Sequence, residues 1–434
     1  MDATQAPADR FTDKAGSWEA FDFAAPSGKR DEDRSGRMGM VFDGRYLYFV
    51  PGAASGNMLR YDTTGALGDE AAWESLDLAG AFPGITSGPA KGYANGVFDG
   101  RFVYFTPYFD GGNYHGRAVR YDTLGAFTSL SSWEAVDIKD FFPGVADARG
   151  YNGAVFDGKY VYFVPYHQKP MYCVGYHGKA VRYDTGGAFD APGSWQAIDL
   201  KRLFAPEVPY TTGFATGLFD GRYVYYVPYF NSSGYHGKAV RYDTHAAFDR
   251  PSSWQSIDVS AIFEDVIGTK GYCGATFDGR YVYFAPYNDG AIPVDVYHGK
   301  MLRFDTQGDF LDKARWESVD VEQAFKSAGT LRVKGYQGAT FDGRYVYYAP
   351  WYDGAEFHGR VLRFDTQRPF RDASAWTLVD ITEGVPSSAA AGELRGFDGA
   401  LFDGKRYVYM NARCWGPVPG KVGKVVRYDT TGGA

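Results

Sequence analysis

The sequence predicts an all-β protein, a seven-bladed β-propeller formed by a single domain over residues 1–434. Three observations predict this fold. The chain combines 56 glycines with 18% aromatic residues, which is typical of tight turns between aromatic strands. Three short strings recur along the chain, each of them seven times. Every repeat holds four strand-like segments, and repeats of four antiparallel strands form propeller blades rather than helical solenoids.

The first strand of each repeat ends in the string Phe-Asp-Gly followed by Arg or Lys. Asp-Gly before an aromatic run is a strong signal for a two-residue hairpin turn. The aspartates of this string are Asp43, Asp99, Asp157, Asp220, Asp278, Asp342 and Asp403. The second strand follows, as in Tyr-Val-Tyr-Tyr-Val at residues 223–227. It is apolar on both faces, so we expect it to be covered on both sides.

The third and fourth strands alternate polar and apolar residues. The third strand ends in Tyr-Asp-Thr or Phe-Asp-Thr, with an arginine two positions before the aspartate. The fourth strand begins with the tryptophan of Trp-x-x-x-Asp. These tryptophans are Trp18, Trp73, Trp133, Trp195, Trp254, Trp316 and Trp376. Residues that occur in all seven repeats are best explained as blade structure. We expect the repeated arginines and aspartates to satisfy each other or loop carbonyls at the blade edges, and the tryptophans to pack between blades.

The two ends of the chain predict how the ring closes. The chain opens with a fourth strand, Trp18 to Asp22, and closes with a third strand at residues 426–430. One blade is therefore divided between the termini. Pairing of the two chain ends would leave no long free sheet edge.

Composition excludes several classes of protein. No apolar run approaches the roughly 20 residues of a membrane helix, and residues 1–7 lack the apolar core of a secretory signal. A net charge of −7 does not suit a phosphate backbone, so we expect neither a nucleic-acid nor a membrane partner. Three cysteines, an odd number, argue against a disulfide framework and favour the cytoplasm. No phosphate-binding glycine loop, nucleophile elbow or zinc-protease helix motif is present, so there is no sign of a nucleotide cofactor.

The Phe-Asp-Gly-Arg-Tyr-Val-Tyr hairpin, the Tyr-Asp-Thr strand and the downstream tryptophan resemble the kelch type of β-propeller repeat. The resemblance covers all seven repeats, although the kelch double glycine after the second strand is replaced by Pro-Tyr, as at Pro107-Tyr108. Kelch families include both scaffolds and oxidases. The resemblance therefore implies the architecture and does not assign a function.

Function is expected where the repeat is broken. The first strand begins with an aromatic residue in six copies and with Arg37 in the first copy. The position that follows varies more than any blade requirement explains. Its residues are Met38, Ala94, Asn152, Ala215, Cys273, Gln337 and Asp398. Because this variable column starts the innermost strand, we expect it to face the mouth of the central channel.

The loop after the second strand carries the second signal. Five of the seven histidines occupy one repeat position, in Tyr-His-Gly or Phe-His-Gly, in five consecutive blades. They are His115, His177, His236, His298 and His358. The first and last copies have Ser55 and Val422 there, so a blade can be built without this histidine.

Three interpretations of the histidine column are open. The imidazoles could contact an organic ligand. A structural imidazole would donate to a neighbouring loop carbonyl or carboxylate. A functional set would converge over the channel and bind a transition metal (Cu, Fe or Zn), because neutral imidazole suits these ions. The histidines precede the third strand, so a metal site requires the loops to fold inward.

Other residues of the same face complete the candidate site. Asp398, Tyr272 and Cys273 are candidate catalytic residues, since they include a carboxylate, a phenol and a thiol. Candidate ligand-binding residues are Tyr151, Asn152, Gln337, Trp351, Arg413 and Trp415. Aromatic residues after the second strand could stack on a sugar or an aromatic substrate, and arginine could hold an anion. The loop at residues 166–177 adds Met171 and Cys173 as soft ligands or packing residues.

The sequence thus favours a small-molecule-binding propeller with a His/Tyr/Cys-lined site on one face, most specifically a metal-dependent and possibly oxidative enzyme. One alternative is a non-enzymatic, lectin-like carbohydrate binder with five nearly equivalent pockets. Another is a protein-interaction scaffold that uses the same loops. The metal enzyme predicts one central site, whereas the lectin predicts one ligand for each histidine-bearing blade.

Overall fold

Seven antiparallel sheets of four strands each form the molecule. The computed structural model describes residues 10–22, 37–52, 55–82, 88–142, 148–169, 175–266, 268–290, 296–326, 332–386, 394–412 and 424–431. The seven sheets confirm the predicted seven-bladed, all-β propeller. Among the described residues, no helix is long and apolar enough to cross a membrane.

The strands are numbered in chain order. The first strands of the blades are β2 (Arg37–Phe42), β6 (Tyr93–Phe98), β10 (Tyr151–Phe156), β14 (Phe214–Phe219), β18 (Tyr272–Phe277), β22 (Tyr336–Phe341) and β26 (Phe397–Phe402). The second strands are β3 (Tyr46–Pro51), β7 (Phe102–Pro107), β11 (Tyr160–Pro165), β15 (Tyr223–Pro228), β19 (Tyr281–Pro286), β23 (Tyr345–Pro350) and β27 (Tyr407–Ala412). The third strands are β4 (Asn57–Asp62), β8 (Arg117–Asp122), β12 (Lys179–Asp184), β16 (Lys238–Asp243), β20 (Lys300–Asp305), β24 (Arg360–Asp365) and β28 (Lys424–Asp429). The fourth strands are β5 (Trp73–Asp77), β9 (Trp133–Asp137), β13 (Trp195–Asp199), β17 (Trp254–Asp258), β21 (Trp316–Asp320), β25 (Trp376–Asp380) and β1 (Trp18–Asp22).

Short helical turns connect these strands. The α-helical turns are Lys14–Ser17, Leu200–Leu203 and Val321–Lys326. The 3-10 turns are Glu70–Ala72, Leu130–Ser132, Ile138–Phe141, Pro192–Ser194, Pro251–Ser253, Val259–Ala261, Lys313–Arg315 and Ala373–Ala375.

The first strands of neighbouring blades contact one another around the whole ring and therefore surround the central axis. β2 to β5 form the first blade, and each later set of four strands forms the next one. The seventh blade contains β26, β27, β28 and β1. β1 pairs with β28 in register, Trp18 opposite Tyr428, so the predicted closure by the two chain ends is confirmed.

The hairpin aspartate has the structural role expected of a residue that every blade contains. In the first blade, the Asp43 carboxylate accepts hydrogen bonds from the backbone N–H groups of Arg45 and Tyr46, at 2.8 and 2.6 Å. Its second oxygen accepts from the Tyr48 hydroxyl at 2.7 Å. The turn and the second strand are thus held by one side chain.

The third-strand arginines join neighbouring blades. Arg60 forms an ion pair with Glu74 of its own blade at 2.5 Å and donates to the Tyr121 hydroxyl of the next blade at 3.0 Å. Asp62, two residues further on, pairs instead with Arg45 at 2.6 Å. The tryptophans pack between blades as predicted: the ring of Trp73 lies 5.1 Å from that of Phe21, which belongs to the seventh blade.

Candidate functional site

A cavity of about 860 Å³ lies around the axis at one end of the ring. This end, called here the top face, carries the loops that follow the second strands and those that precede the first strands. Six of the seven residues of the variable column line the cavity, all except Ala94 of the second blade. Loop residues of the second to sixth blades also line it. It is therefore one central cavity rather than a set of separate pockets.

A β-bulge near the start of each first strand directs the variable column toward this cavity. The register between the first and second strands shifts in all seven blades, for example between Tyr272 and Ala275. A bulge re-aims one side chain relative to a regular strand. Gly274 and Gly338 accommodate it with φ angles of +121° and +98°, which favour glycine.

The structure places most of the variable column on the cavity wall, as expected. The lining residues of this column are Met38, Asn152, Ala215, Cys273, Gln337 and Asp398. Ala94 is buried instead, in an apolar cluster with Met38 and Tyr108. Among the candidate residues, the structure thus brings Asp398, Cys273, Asn152 and Gln337 into one cavity.

Two of these candidates contact each other across a blade boundary. The Gln337 side-chain amide donates to Asp398 Oδ1 at 2.6 Å, although the two residues lie 61 positions apart. Asp398 is only 6% exposed. The contact holds the carboxylate of the seventh blade against the amide of the sixth.

A band of aromatic side chains, called here the aromatic collar, forms the outer wall of the cavity. Its first members follow the proline that ends the second strand in the second to sixth blades, and they are Tyr108, Tyr166, Tyr229, Tyr287 and Trp351. Its second members precede the repeated histidines, and they are Tyr114, Tyr176, Tyr235, Tyr297 and Phe357. Neighbouring blades are in ring contact, with centroids 5.6 Å apart for Tyr108 and Tyr166 and 5.5 Å apart for Tyr229 and Tyr287.

The loops of the collar have a common local structure. In the fourth blade, an isolated antiparallel bridge joins Phe230 to Tyr235, and equivalent bridges occur in the second, third, fifth and sixth blades. The Tyr235 ring packs edge-on against Tyr229 at 5.4 Å. Successive residues of an extended segment point to opposite sides. Tyr235 therefore faces the cavity, while His236, the next residue, faces the backbone of its own blade.

Burial raises the pKa of several collar phenols. The pKa of Tyr166, of Tyr229 and of Tyr287 is raised well above its usual value, mainly because burial disfavours the phenolate, with a smaller contribution from the neighbouring tyrosines. The collar thus offers neutral phenol groups and ring faces.

The five histidines do not converge on the axis, and the metal-site prediction receives no support from their geometry. Nε2 of His115 donates to the Gly92 carbonyl at 2.9 Å, and Nε2 of His298 donates to the Lys270 carbonyl at 2.9 Å. These carbonyls precede the first strand of the same blade. Equivalent bonds are formed by His177, His236 and His358.

The second ring nitrogen of each histidine is also occupied. Nδ1 of His298 accepts from the backbone N–H of Lys300 at 3.2 Å, and the other four make the same contact with the residue two positions on. With both nitrogens hydrogen-bonded to backbone, none of the five imidazoles presents a lone pair to a metal ion. In the first blade Ser55 supplies part of this pattern, because its hydroxyl accepts from the Asn57 N–H at 3.0 Å.

Burial lowers the pKa of each of these imidazoles to about 4. The main cause is desolvation, which disfavours the charged ring. The bond that Nδ1 accepts from a backbone N–H likewise requires an unprotonated nitrogen. The five histidines are therefore neutral structural groups at pH 7. Within the described part of the chain, no group of three or more His, Cys, Asp or Glu is placed to hold a metal ion.

Tyr151 and Tyr272, predicted as site residues, do not line the cavity. Both side chains are fully buried and pack edge-on against the histidine of their own blade, with ring centroids 5.6 Å apart for Tyr151 and His177. The Tyr272 hydroxyl donates to the Lys300 carbonyl at 3.3 Å. This aromatic column is blade structure, because the bulge turns the following residue toward the axis.

The remaining candidates have different outcomes. Trp351 lines the cavity as a collar residue, 5% exposed, and packs edge-on against Phe357 at 5.0 Å. Arg413, Trp415 and Cys173 lie outside the described residues.

Sequence reasoning missed the second members of the collar, as well as Asn95 and Thr216 on the cavity wall. The signal was present in Tyr-His-Gly, where the aromatic residue repeats as faithfully as the histidine. The prediction was based on the histidine, because imidazole is a common metal ligand, whereas the residue that lines the cavity is the aromatic one before it.

Comparisons with known proteins bear on the fold alone. No protein-family model matches the chain, and no curated protein matches it. Among solved structures, the chain is similar to the WD40 domain of Pan2 from Neurospora crassa, with a TM-score of 0.53 and 6% sequence identity over 96% of each chain. This likeness supports the propeller architecture, and the resemblance to kelch repeats remains a prediction.

Proposed function

We propose that the protein binds one small organic molecule in the top-face cavity. The observation that carries this proposal is the convergence of two independent features on one space. The variable column is the part of the repeat that blade structure does not explain, and the aromatic collar surrounds the same cavity. An aromatic-lined concave site with a few converging polar groups is the usual form of a small-molecule site.

The cavity favours a single central ligand over the lectin-like alternative. That alternative requires five separate pockets, one for each histidine-bearing blade, but the collar residues of these blades line a common space. A carbohydrate remains one ligand class for that single site, because aromatic rings and side-chain amides can both contact a sugar.

A metal-dependent oxidative function is not part of the proposal, because the five histidines are engaged by backbone groups. A scaffold for protein partners would also use the top face. The concave, aromatic shape of the site favours a small ligand over a protein surface.

A fragment screen by ligand-observed NMR tests this proposal. The library should contain amines, neutral aromatic compounds, sugars and carboxylates. Asn152→Trp would place an indole in the cavity, because Asn152 lies on its wall. The matched control is Leu124→Trp, since Leu124 lies in the turn after β8 at the opposite face and is 80% exposed.

We expect fragments that bind the wild type to lose binding in Asn152→Trp and to keep it in Leu124→Trp. Circular dichroism and thermal unfolding establish that both variants are folded. A screen in which no fragment distinguishes the wild type from Asn152→Trp would overturn the proposal.

A further inference from the structure

The polar side chains of the cavity that come from the first strands occupy two adjoining positions. The first position is the variable column, and the second is the residue after it, called here the bulge column. The bulge column is glycine in five blades, with φ angles between +92° and +121°. These glycines are Gly39, Gly153, Gly274, Gly338 and Gly399. In the second and fourth blades the position is polar instead, as Asn95 and Thr216, and both of these residues line the cavity.

Asn95 keeps the left-handed backbone of the glycines that stand in the other blades. Its φ angle is +58°, a conformation that is costly for a residue other than glycine. Glycine at this position would avoid the cost, as it does in five other blades. Blade structure therefore does not explain the Asn95 amide.

The preceding blade leaves room for each of the two polar side chains. A Cβ atom at Gly39 in the first blade would collide with the Asn95 amide. A Cβ atom at Gly153 in the third blade would lie 3.0 Å from Thr216 Oγ1. Glycine in one blade and a polar residue in the next are thus complementary in size at both places.

Together the two columns supply one polar side chain in each of five blades. Asn152, Gln337 and Asp398 come from the variable column, and each is followed by glycine in the bulge column. Asn95 and Thr216 come from the bulge column, and each is preceded by alanine in the variable column. These five residues are called here the polar floor. They belong to the second, third, fourth, sixth and seventh blades, so they approach a ligand on the axis from several directions.

The chemistry of the polar floor suits hydroxyl groups. Four of its five members carry an amide or a hydroxyl, and these groups both donate and accept hydrogen bonds. A ligand hydroxyl also does both, whereas an ammonium group only donates and a carboxylate only accepts. These four residues, Asn95, Asn152, Thr216 and Gln337, are partly exposed, so a ligand in the cavity can reach them.

The aromatic collar suits the remaining surface of a hydroxyl-rich ligand. A sugar ring carries hydroxyl groups around its edge and C–H groups on its faces. Tyrosine and tryptophan present an apolar ring together with a polar group, so they can cover such a face. Collar rings form the outer wall in the second to sixth blades. One cavity therefore offers hydrogen-bonding groups from the first strands and apolar ring surface from the loops.

We propose that the ligand of this cavity is a neutral carbohydrate, whose hydroxyl groups bind to the polar floor and whose C–H faces pack against the aromatic collar. This inference rests on the proposed function, because it names the ligand class of the same site.

A glycan array probed with the labelled full chain tests the ligand class. The array should carry neutral glycans that end in glucose, galactose, mannose or N-acetylglucosamine, together with acidic glycans that end in uronic or sialic acid. We expect neutral glycans to bind. Calorimetry with the best-bound neutral glycan in soluble form then measures its affinity, and we expect one binding site per chain.

Variants of the bulge column assign the binding to the polar floor. Asn95→Gly introduces the residue that five other blades use, so it removes the amide without adding backbone strain. Thr216→Val removes the hydroxyl and nearly keeps the side-chain shape. We expect each variant to weaken binding of the selected glycan about fivefold or more, as for the loss of one hydrogen bond between neutral groups. Gln307→Ala is the matched control and should leave the affinity unchanged, because Gln307 is an exposed amide in the turn after β20 at the opposite face.

Circular dichroism and thermal unfolding establish that the variants are folded, and Asn152→Ala replaces either variant that is not. Binding of no neutral glycan on the array, binding of acidic glycans alone, or unchanged affinity in either folded variant overturns the carbohydrate proposal. The proposed function survives these results if fragments lose binding in Asn152→Trp. If no fragment and no glycan binds in a manner sensitive to Asn152→Trp, the proposed function is overturned and this inference with it.

Discussion

At the residue scale, the repeated histidine acts as a clamp between two strands of its own blade at the top face. The ring of His298 ties the start of its own first strand, through Lys270, to the start of its third strand, through Lys300. The backbone carbonyl of the same residue accepts from the Gly335 N–H of the next blade at 3.1 Å. The histidine is thus repeated in five blades because each of these blades uses it for the same structural bonds. The residue type alone did not distinguish this role from metal binding.

Replacement of His298 by alanine tests this role. The change removes a buried ring and leaves a buried carbonyl and a buried N–H without their partners, so we expect the free energy of unfolding to fall by about 2–4 kcal/mol. Urea unfolding followed by tryptophan fluorescence measures the loss. His245→Ala is the control, because His245 is exposed, and it should change stability by less than about 0.5 kcal/mol. Equal stability of the two variants would contradict the clamp.

At the element scale, the bulge in each first strand decides which residues reach the cavity. In the sixth blade, Tyr336 is buried behind the strand, and Gln337 faces the cavity because the register shifts before Ala339. The bulge also brings neighbouring first strands close together. A Cβ atom at Gly338 would lie 2.6 Å from the Cα of Gly399 in the next blade.

Two glycine substitutions in the sixth blade separate backbone strain from this close approach. Gly338 and Gly343 have similar φ angles, +98° and +105°, but a Cβ at Gly343 would meet no atom within 4 Å. We expect Gly343→Ala to lower the free energy of unfolding by about 1–2 kcal/mol, because of backbone strain. Gly338→Ala should lower it by at least about 2 kcal/mol more, because the added Cβ would also meet the next blade. Thermal and urea unfolding of the two variants give the comparison. Similar losses would show that the first strands can separate without cost.

At the scale of the whole molecule, the ring depends on elements that are distant in sequence. β1 completes the seventh blade, and Phe11 is fully buried against Tyr347 of the sixth blade and Tyr428 of the seventh. The Trp18 indole donates to the Phe11 carbonyl at 2.9 Å, as Trp73 does to Leu67 in the first blade at 3.0 Å. Residues 10–17 therefore complete the loop of a blade whose other three strands come from the end of the chain.

The histidine clamps also give the whole molecule a predicted pH dependence. Their pKa is about 4 in the folded protein and 6.5 in an unfolded chain, so the unfolded state binds more protons between these values. Stability is then complete well above a pH of about 6.5 and falls as the pH drops toward 4, by up to about 1.4 kcal/mol per pH unit for each histidine. Ion-paired carboxylates affect stability only at lower pH than the histidines. The pKa of Asp62, for example, is lowered to about 2, mainly by its hydrogen bond from Arg45.

Urea unfolding at pH 7.5, 6.5, 5.5 and 5.0 measures this effect. We expect a moderate loss of about 2 kcal/mol between the two higher values, where the histidines of the unfolded chain become half protonated, and a steeper loss per pH unit between the two lower ones. His298→Ala should show a shallower decline, because it has one clamp fewer. A free energy of unfolding that stays constant from pH 7.5 to 5.0 would contradict the burial of neutral histidines.

Local patterns of the sequence determined the number of blades, the order of strands and the closure of the ring. Asp-Gly turns, alternating strands and the split seventh repeat are encoded within a few residues of each other, so they can be recognised without coordinates. The variable column was recognised in the same way, because a position that differs between copies stands out among positions that are the same in all of them.

Only the tertiary structure decided which side chains enter the cavity. Neighbouring residues of an extended segment point to opposite sides, and the string Tyr-His-Gly does not state which side faces the axis. Tyr235 faces the cavity and His236 faces the backbone because the loop is fastened to the first strand of its own blade. The contact of Gln337 with Asp398 joins two blades, and no local pattern encodes a distance between repeats. Blade structure follows from short-range signals, whereas the chemistry of the site depends on how seven copies are packed around one axis.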